Sequence, residues 1–301
     1  MAYGTPQDRD EILPYYTDIR RGHPPTNEQL ADLTARYEAI GGLSPLARLT
    51  KDQCNALQNA LNTIEPNKFV VRLGLKHAFP MIEETTTSFI NDGIDLLVGL
   101  VMAPHYSSYS IGQYLNRLKA VAEPYAVNVL GIRSWATNDA YIDFLSADLS
   151  QRLARAPEKT KVLFTAHSLP QRIIDAGDPY AQELRCTATA VANRVGLSEW
   201  TQWAIAWQSA GRTPEPWIGP DVLSVIDQLS SSGEADGVII SACGFVADHL
   251  EVLYDLDIEA KQRANRYGLY FDRTACVNTD RTVMSSLADL VVNTVNEQVV
   301  Q

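Results

Sequence analysis

The stretch KVLFTAHSLP, residues 161–170, ends an apolar run on a histidine and a serine and then stops at a proline. A short apolar run of this kind predicts a buried β-strand. His167 then lies at the carboxyl end of the strand, where open α/β sheets keep their ligand sites. A single histidine defines no site, so the rest of the chain must supply partners for it.

Similar apolar runs recur along the chain and alternate with amphipathic stretches, which predicts βαβ units and parallel sheets. The runs are nearly continuous in hydrophobicity, as expected for strands covered by helices on both faces. They occupy residues 68–75, 95–104, 126–132, 161–166, 203–209 and 237–245.

Helix signals fill the intervals. Thr26 and Gln29 have the spacing of a capping box at the start of a helix that ends at the glycine pair 41–42. Residues 282–300 predict an amphipathic closing helix, and residues 146–160 predict a link between two halves. We therefore expect one domain at residues 1–147 and a second at 148–301.

Composition excludes several classes of protein. The 301 residues carry a net charge of -11, which argues against general nucleic-acid binding. No apolar run reaches the ~18–20 residues of a membrane helix, and the amino terminus does not resemble a signal peptide, so we expect a cytoplasmic protein without stable membrane insertion. The four cysteines are widely spaced, which indicates free thiols rather than disulfides, a zinc site or an iron–sulfur cluster.

The opening residues MAYGTP, 1–6, have the pattern of the end of a strand and the turn after it. The strand itself does not precede them. Either translation starts here or residues upstream are absent from this sequence. We expect the natural protein to carry about six to ten further residues, enough for one ordinary strand.

An acidic column is the strongest chemical signal. In DHLEVLYDLDIEA, residues 248–260, a helix would place Glu251, Asp255 and Glu259 at i, i+4 and i+8 on one face. Such a face can simply be solvated. Here it follows a buried strand, so its start lies at the crevice, with Glu251 best placed to meet His167. The set could bind a divalent metal or relay protons.

The other histidines are more ambiguous. His249 precedes Glu251 by two residues and would point elsewhere on a helix, so we interpret it as structural. His105 also ends a strand, where turn packing is as plausible as a site. His77 ends another run and could line a pocket.

Cations near the amino terminus suggest an anion site. Arg20 and Arg21 are adjacent, Arg36 follows on the capped helix, and Ser44 lies in a Gly-Gly-Leu-Ser-Pro turn. These residues could be ordinary surface groups. Alternatively they form a carboxylate clamp, because guanidinium matches carboxylate geometry.

Seven motifs, taken together, resemble the ferrochelatase family, and more closely the soluble coproporphyrin ferrochelatases of Gram-positive bacteria. The resemblance covers residues 1 to about 260. The motifs are MAYGTP, YYTDIRRG, RYEAIGGLSPLA, APHYSSYS, TAHSLPQRI, WQSAGRTPEPWIGPDV and GFVADHLEVLYDLDIE. The long carboxyl-terminal extension of membrane-associated relatives and the cysteine cluster of iron–sulfur members are not found.

The resemblance implies an α/β fold of two Rossmann-like domains, each a parallel sheet flanked by helices, with a porphyrin cleft between them. It implies that His167 and Glu251 are catalytic and, with Tyr3 on the opposite face of the porphyrin, contact the metal. Asp255 and Glu259 would relay protons or metal. The porphyrin-binding residues implied are Tyr3, Arg20, Arg21, Arg36, Ser44, Tyr114 and His77.

The implied reaction is insertion of Fe²⁺ as a substrate into a porphyrin, without an organic cofactor. Coproporphyrin III, with four carboxylates, is favoured over protoporphyrin IX, with two, because the anchors around the ring are polar. Protoporphyrin, another divalent metal such as cobalt or nickel, and a non-catalytic porphyrin- or haem-binding protein remain the alternatives. Transient contact with neighbouring haem-pathway enzymes is also expected.

Overall fold

The structure, a computed structural model, describes residues 1–199, 201–211 and 213–299. Within these residues the strands form two parallel sheets. Arg212 of the WQSAGRTPEPWIGPDV motif and the end of the closing stretch, residues 300–301, lie outside the described residues. The first sheet pairs β1 (Leu96–Leu100) with β2 (Asn128–Ile132), and the second has the order β4-β3-β5-β6, with β3 Thr160–His167, β4 Trp203–Gln208, β5 Gly237–Ser241 and β6 Tyr270–Arg273.

Helices cover both sheets, which confirms the α/β class. The helices are α1 Ile12–Ile19, α2 Asn27–Ala39, α3 Leu46–Ile64, α4 Ile82–Asn91, α5 Ile111–Ala122, α6 Asp139–Leu153, α7 Gln171–Asp175, α8 Tyr180–Val195, α9 Val222–Ser232, α10 Leu250–Leu253, α11 Lys261–Arg266 and α12 Arg281–Val299. A 3₁₀ turn, Glu123–Tyr125, follows α5, and a π-helical turn, Asp255–Ala260, joins α10 to α11.

The capping box predicted for α2 is confirmed. The Thr26 side chain accepts from the Gln29 backbone N–H at 3.2 Å, and the Gln29 side chain accepts from the Thr26 N–H at 3.0 Å. The helix ends before the glycine pair, whose φ angles of +92° and +127° suit residues without a Cβ. Local sequence chemistry therefore fixes both ends of this helix.

The strand predicted at residues 68–75 is not formed as a regular strand, and only Leu75 makes isolated bridges. The reason is that its backbone groups bond a side chain. The side chain of Gln58, on α3, accepts from the Val71 N–H at 2.8 Å and donates to the Phe69 carbonyl at 2.9 Å, in place of a neighbouring strand. Backbone pairing begins only where residues 74–77 meet residues 1–3. Strand β6, conversely, was not predicted.

The expected boundary at residues 147 and 148 falls inside α6, so the stretch 146–160 is half helix rather than a linker. The α6 helix packs on α8 and on β5 of the second sheet. The closing helix α12, expected to belong to the second half, packs on α3 and on both strands of the first sheet. One hydrophobic core accordingly runs through both halves, from Leu57 and Leu61 on α3 to Phe164 on β3 and Leu287 on α12.

Candidate active site

His167 is the last residue of β3, one of the two internal strands of the second sheet. Its Nδ1 contacts the backbone carbonyl of Ser168. Because a carbonyl only accepts, Nδ1 donates to it, and Nε2 points toward the Glu251 carboxylate. The Tyr180 hydroxyl donates to the His167 carbonyl at 3.0 Å and anchors the backbone. The imidazole is thus held in one orientation.

Glu251 lies between two histidines. One carboxylate oxygen is 3.5 Å from His167 Nε2, and the other is 3.6 Å from His249 Nε2. The interpretation of His249 as remote from Glu251 is therefore wrong. His249 is the N-cap of α10 and has extended backbone angles, φ -154° and ψ -178°, so helical spacing does not apply to it. Its Nδ1 donates to the Ala247 carbonyl at 2.9 Å, which points Nε2 at the carboxylate.

The His167–Glu251 pair is an ion pair at neutral pH. Burial opposes the charge on the imidazole, but the Glu251 carboxylate outweighs it and raises the pKa of His167 to about 9. Burial likewise opposes the charge on Glu251. The imidazolium of His167, helped by His249, nevertheless holds the pKa of the Glu251 carboxyl well below its usual range. His167 is therefore protonated at neutral pH, next to Glu251, the first carboxylate of the acidic column.

Asp255 is the next carboxylate along the column and is buried. Ser209, which directly follows β4, donates its hydroxyl to one Asp255 oxygen, and Arg36 Nη1 lies 3.5 Å from the other. Burial, and after it the charge of Glu251, raises the pKa of Asp255 to about 6, although Ser209 and Arg36 act in the opposite direction. Ser209 has a φ of +57°, unusual for a residue with a Cβ, so the backbone is held in a strained conformation at this contact.

The helix predicted across residues 248–260 is not a single α-helix. After α10 the bonding changes to a π-helical turn, in which the Glu259 N–H donates to the Tyr254 carbonyl five residues back. In an α-helix a four-residue step overshoots a full turn by ~40°, whereas bonding to the fifth residue makes the same step fall short. The π-helical turn therefore reduces the angle, measured around the helix axis, between the side chains of Asp255 and Glu259. Glu259 is half-buried, and its charge adds to the pKa rise of Asp255.

Tyr3 and His77 form a second cluster. Their rings lie 4.6 Å apart at 58°, and the His77 N–H donates to the Tyr3 carbonyl at 2.9 Å. His77 Nδ1 lies 2.6 Å from an Asp18 oxygen. The surrounding protein, followed by the charges of Glu251 and Asp18, raises the pKa of Tyr3. Tyr3 is nevertheless 42% exposed.

Lys76, beside His77, is a cation that the sequence reasoning missed. Its amine donates to the Gln113 side chain at 2.7 Å and lies 5.9 Å and 5.2 Å from the ring centres of Tyr3 and Tyr114. Burial, together with the charges of Arg117 and Arg21, lowers the pKa of Lys76 to about 8. Its position at the end of the run 68–75 was the signal that could have found it.

The remaining predicted anchors have different placements. Arg20 donates to the His23 carbonyl at 3.1 Å and stacks on Tyr16, and Arg21 is exposed with φ +57°. Tyr114 is buried beneath Lys76. Ser44 is buried as well, and its hydroxyl accepts from the Leu46 N–H at 3.2 Å at the start of α3.

Arg36 differs from the expectation of a clamp beside Arg20. It pairs with Asp32 at 3.3 Å and with Asp255, and it stacks on Tyr254 at 4.8 Å. The structure therefore brings it to the acidic column. His105 is buried, and its Nε2 lies 2.8 Å from the Thr187 hydroxyl, so it packs the two halves together.

No group of three or more His, Cys, Asp or Glu side chains among the described residues has an arrangement that could hold a metal ion. No helix in the described part of the chain is both long and apolar enough to span a membrane.

The architecture has solved counterparts. SirB from Bacillus subtilis, solved with Fe³⁺, matches with a TM-score of 0.56 and 11% identity, over 82% of this chain and 90% of that one. At such low identity the likeness shows the fold alone, an α/β arrangement of parallel sheets flanked by helices.

Sequence comparison goes further. The family model of ferrochelatase matches residues 1–295. The coproporphyrin III ferrochelatase of Geobacillus kaustophilus (strain HTA426) is 42% identical over 298 residues, 97% of this chain and 93% of the relative. That of Geobacillus thermodenitrificans (strain NG80-2) is 43% identical, with the same coverage of both chains. This chain therefore belongs to the ferrochelatase family.

Proposed function

We propose that this enzyme inserts Fe²⁺ into coproporphyrin III in haem biosynthesis. The observation that carries the proposal is the His167–Glu251 ion pair at the carboxyl end of β3, with Asp255 behind it. In the reaction one Fe²⁺ enters the ring and two pyrrole protons leave. The site must therefore accept protons next to the ring and pass them away from it.

The residues of the site can accept protons and pass them on, one residue after another. His167 can take a pyrrole proton in its neutral form, and the Glu251 carboxylate stabilises the imidazolium that results. Asp255, with a pKa of about 6, exchanges protons near neutral pH and can carry them further along the column. We propose that Tyr3, across the cleft, contacts the opposite face of the ring, and that Fe²⁺ meets His167, Glu251 or Tyr3 as it enters.

Coproporphyrin III is the proposed porphyrin because its carboxylates match the cations at the rim. Lys76 lies beside the Tyr3–His77 cluster and is affected by the charge of Arg21, and relatives 42% and 43% identical bear the name coproporphyrin III ferrochelatase. We propose Arg20, Arg21, Ser44, Tyr114 and His77 as porphyrin contacts.

We further propose that the enzyme needs no organic cofactor and no iron–sulfur cluster, because iron stays ferrous throughout. A cytoplasmic location and transient contact with neighbouring haem-pathway enzymes complete the proposal. The four cysteines are widely spaced along the chain, unlike the closely spaced cysteines that hold iron–sulfur clusters.

The test is anaerobic metallation by purified protein, with Fe²⁺ and either coproporphyrin III or protoporphyrin IX. The expected result is turnover with coproporphyrin III and a lower kcat/KM with protoporphyrin IX. A higher kcat/KM with protoporphyrin IX would overturn the substrate. A protein that binds porphyrin without metallating it with Fe²⁺, Co²⁺ or Ni²⁺ would be a porphyrin-binding protein instead.

A further inference from the structure

One guanidinium joins both ends of the segment that carries the acidic column. Arg273 is the last residue of β6, and its side chain is 15% exposed. Its Nε and Nη2 donate to the two oxygens of Asp257 at 2.6 Å and 2.9 Å, and Nη2 also donates to Asp248 at 3.0 Å. Nη1 donates to the Thr274 carbonyl at 3.1 Å. Asp248 precedes His249, and Asp257 lies within the π-helical turn.

The other side of Asp248 is held as well. Asn278 donates its amide to the second Asp248 oxygen at 2.8 Å, and its amide oxygen accepts from the Asp248 N–H at 2.9 Å. The Asn278 carbonyl in turn accepts from the buried Gln53 side chain of α3 at 2.8 Å. The start of the segment is therefore fixed to the edge strand of the second sheet and to a helix of the first half.

Arg273 can contact both Asp248 and Asp257 because of the π-helical turn between them. Such turns are rare because the regular α-helix bonds better, and they recur at functional sites. Removing the extra residue of the turn would rotate everything after it by ~100°, one residue's share of an α-helical turn. Asp257 would then swing away from Asp248, and one side chain could no longer reach both carboxylates.

We propose that Arg273 is a positioning residue, which holds the π-helical turn in place and so keeps Asp255 in line with Glu251 and His167. Arg273 lies outside the cleft and touches none of these three side chains. It acts through Asp248 and Asp257. The position of Asp248 sets where the segment starts, and the position of Asp257 sets how the π-helical turn is rotated and so where the carboxylates of the column point. The catalytic consequence of this inference rests on the proposed function.

The test compares Arg273→Met with Arg263→Met in the purified full-length protein. Arg263, on α11, is a matched control, since its Nη1 contacts both oxygens of a single carboxylate, Asp227 on α9, at 3.0 Å. Arg273→Met is expected to lower kcat for coproporphyrin metallation at least about tenfold, with porphyrin affinity by fluorescence within about twofold of wild type. Arg263→Met is expected to retain the wild-type kcat. Equal kcat values for the two variants would overturn the inference.

Hydrogen exchange of the free protein gives a second readout that needs no activity. Amides of residues 250–262 are expected to exchange faster in Arg273→Met than in Arg263→Met, and equal rates would overturn the positioning role. Should Arg273→Met fail to fold, Asp257→Asn removes one arm and leaves the Asp248 contact; it is expected to accelerate exchange in the same peptide, and unchanged exchange would overturn the inference. An inactive wild type would overturn the proposed function, while the exchange rates would still decide the positioning role.

Discussion

His167 Nε2 lies 3.5 Å from a carboxylate oxygen of Glu251, although one residue ends a β-strand and the other begins a short helix. The contact joins the candidate base to the acidic column, and it explains the opposite pKa shifts of the two groups. Its consequences can be measured in stability, in pH dependence and in turnover.

Glu251→Gln is expected to lower stability in a pH-dependent way. Because Glu251 raises the pKa of His167 from 6.5 to about 9, the stabilisation by protonated His167 is fully present below about pH 6.5 and is lost as pH rises through 9. The difference in Tm between wild type and variant should therefore be larger at pH 6 than at pH 10. Thermal melts across this range check it, and a difference independent of pH would contradict the ion pair.

Ser209→Ala is expected to shift the acidic limb of the kcat–pH profile to higher pH. The hydroxyl of Ser209 donates to Asp255 and so favours its charged form; without it the pKa of Asp255 rises above about 6. Ser209→Gly is the matched variant, because glycine tolerates the φ of +57°. Both variants should move the limb in the same direction, and an unmoved limb in both would show that Asp255 does not control it.

The two ends of the acidic column should differ in importance. Glu251→Gln is expected to reduce kcat roughly 10²-fold or more, the range of a lost acid–base group. Glu259→Gln should be milder, because Glu259 lies two helical turns further along the column than Glu251. Steady-state metallation with coproporphyrin III measures both, and equal losses would mean that the column acts as one unit.

Arg20→Ala is expected to weaken coproporphyrin binding more than protoporphyrin binding. A charge-assisted hydrogen bond to a carboxylate contributes ~1.5–3 kcal/mol, or roughly ten- to hundredfold in affinity. Fluorescence titrations with both porphyrins at one ionic strength make the comparison. An equal loss for both would place Arg20 at a carboxylate common to the two porphyrins, and no loss would remove it from the site.

The sequence was sufficient where local patterns decide the outcome. The apolar runs predicted β1 to β5, and capping chemistry predicted both ends of α2. The strand-end position of His167 and the start of the acidic segment predicted the pair that the structure brings together.

Features that depend on distant partners were not predictable. His249 faces Glu251 because its backbone is extended, which helical spacing could not indicate. The run 68–75 bonds a glutamine side chain rather than a strand, and Arg36 pairs with Asp255 and stacks on Tyr254, residues more than 200 positions away. The π-helical turn is contacted by Arg273, a residue sixteen positions beyond Asp257.

The central claim is that His167 takes protons from the bound porphyrin. The most direct measurement is a single-turnover reaction, in which coproporphyrin III is bound to wild type or His167→Ala and mixed anaerobically with Fe²⁺ while the absorption spectrum is followed. Wild type is expected to convert to the iron porphyrin. His167→Ala is expected to bind porphyrin yet metallate it roughly 10²- to 10⁴-fold more slowly, the contribution of a positioned base. Metallation by His167→Ala at the wild-type rate would contradict the account.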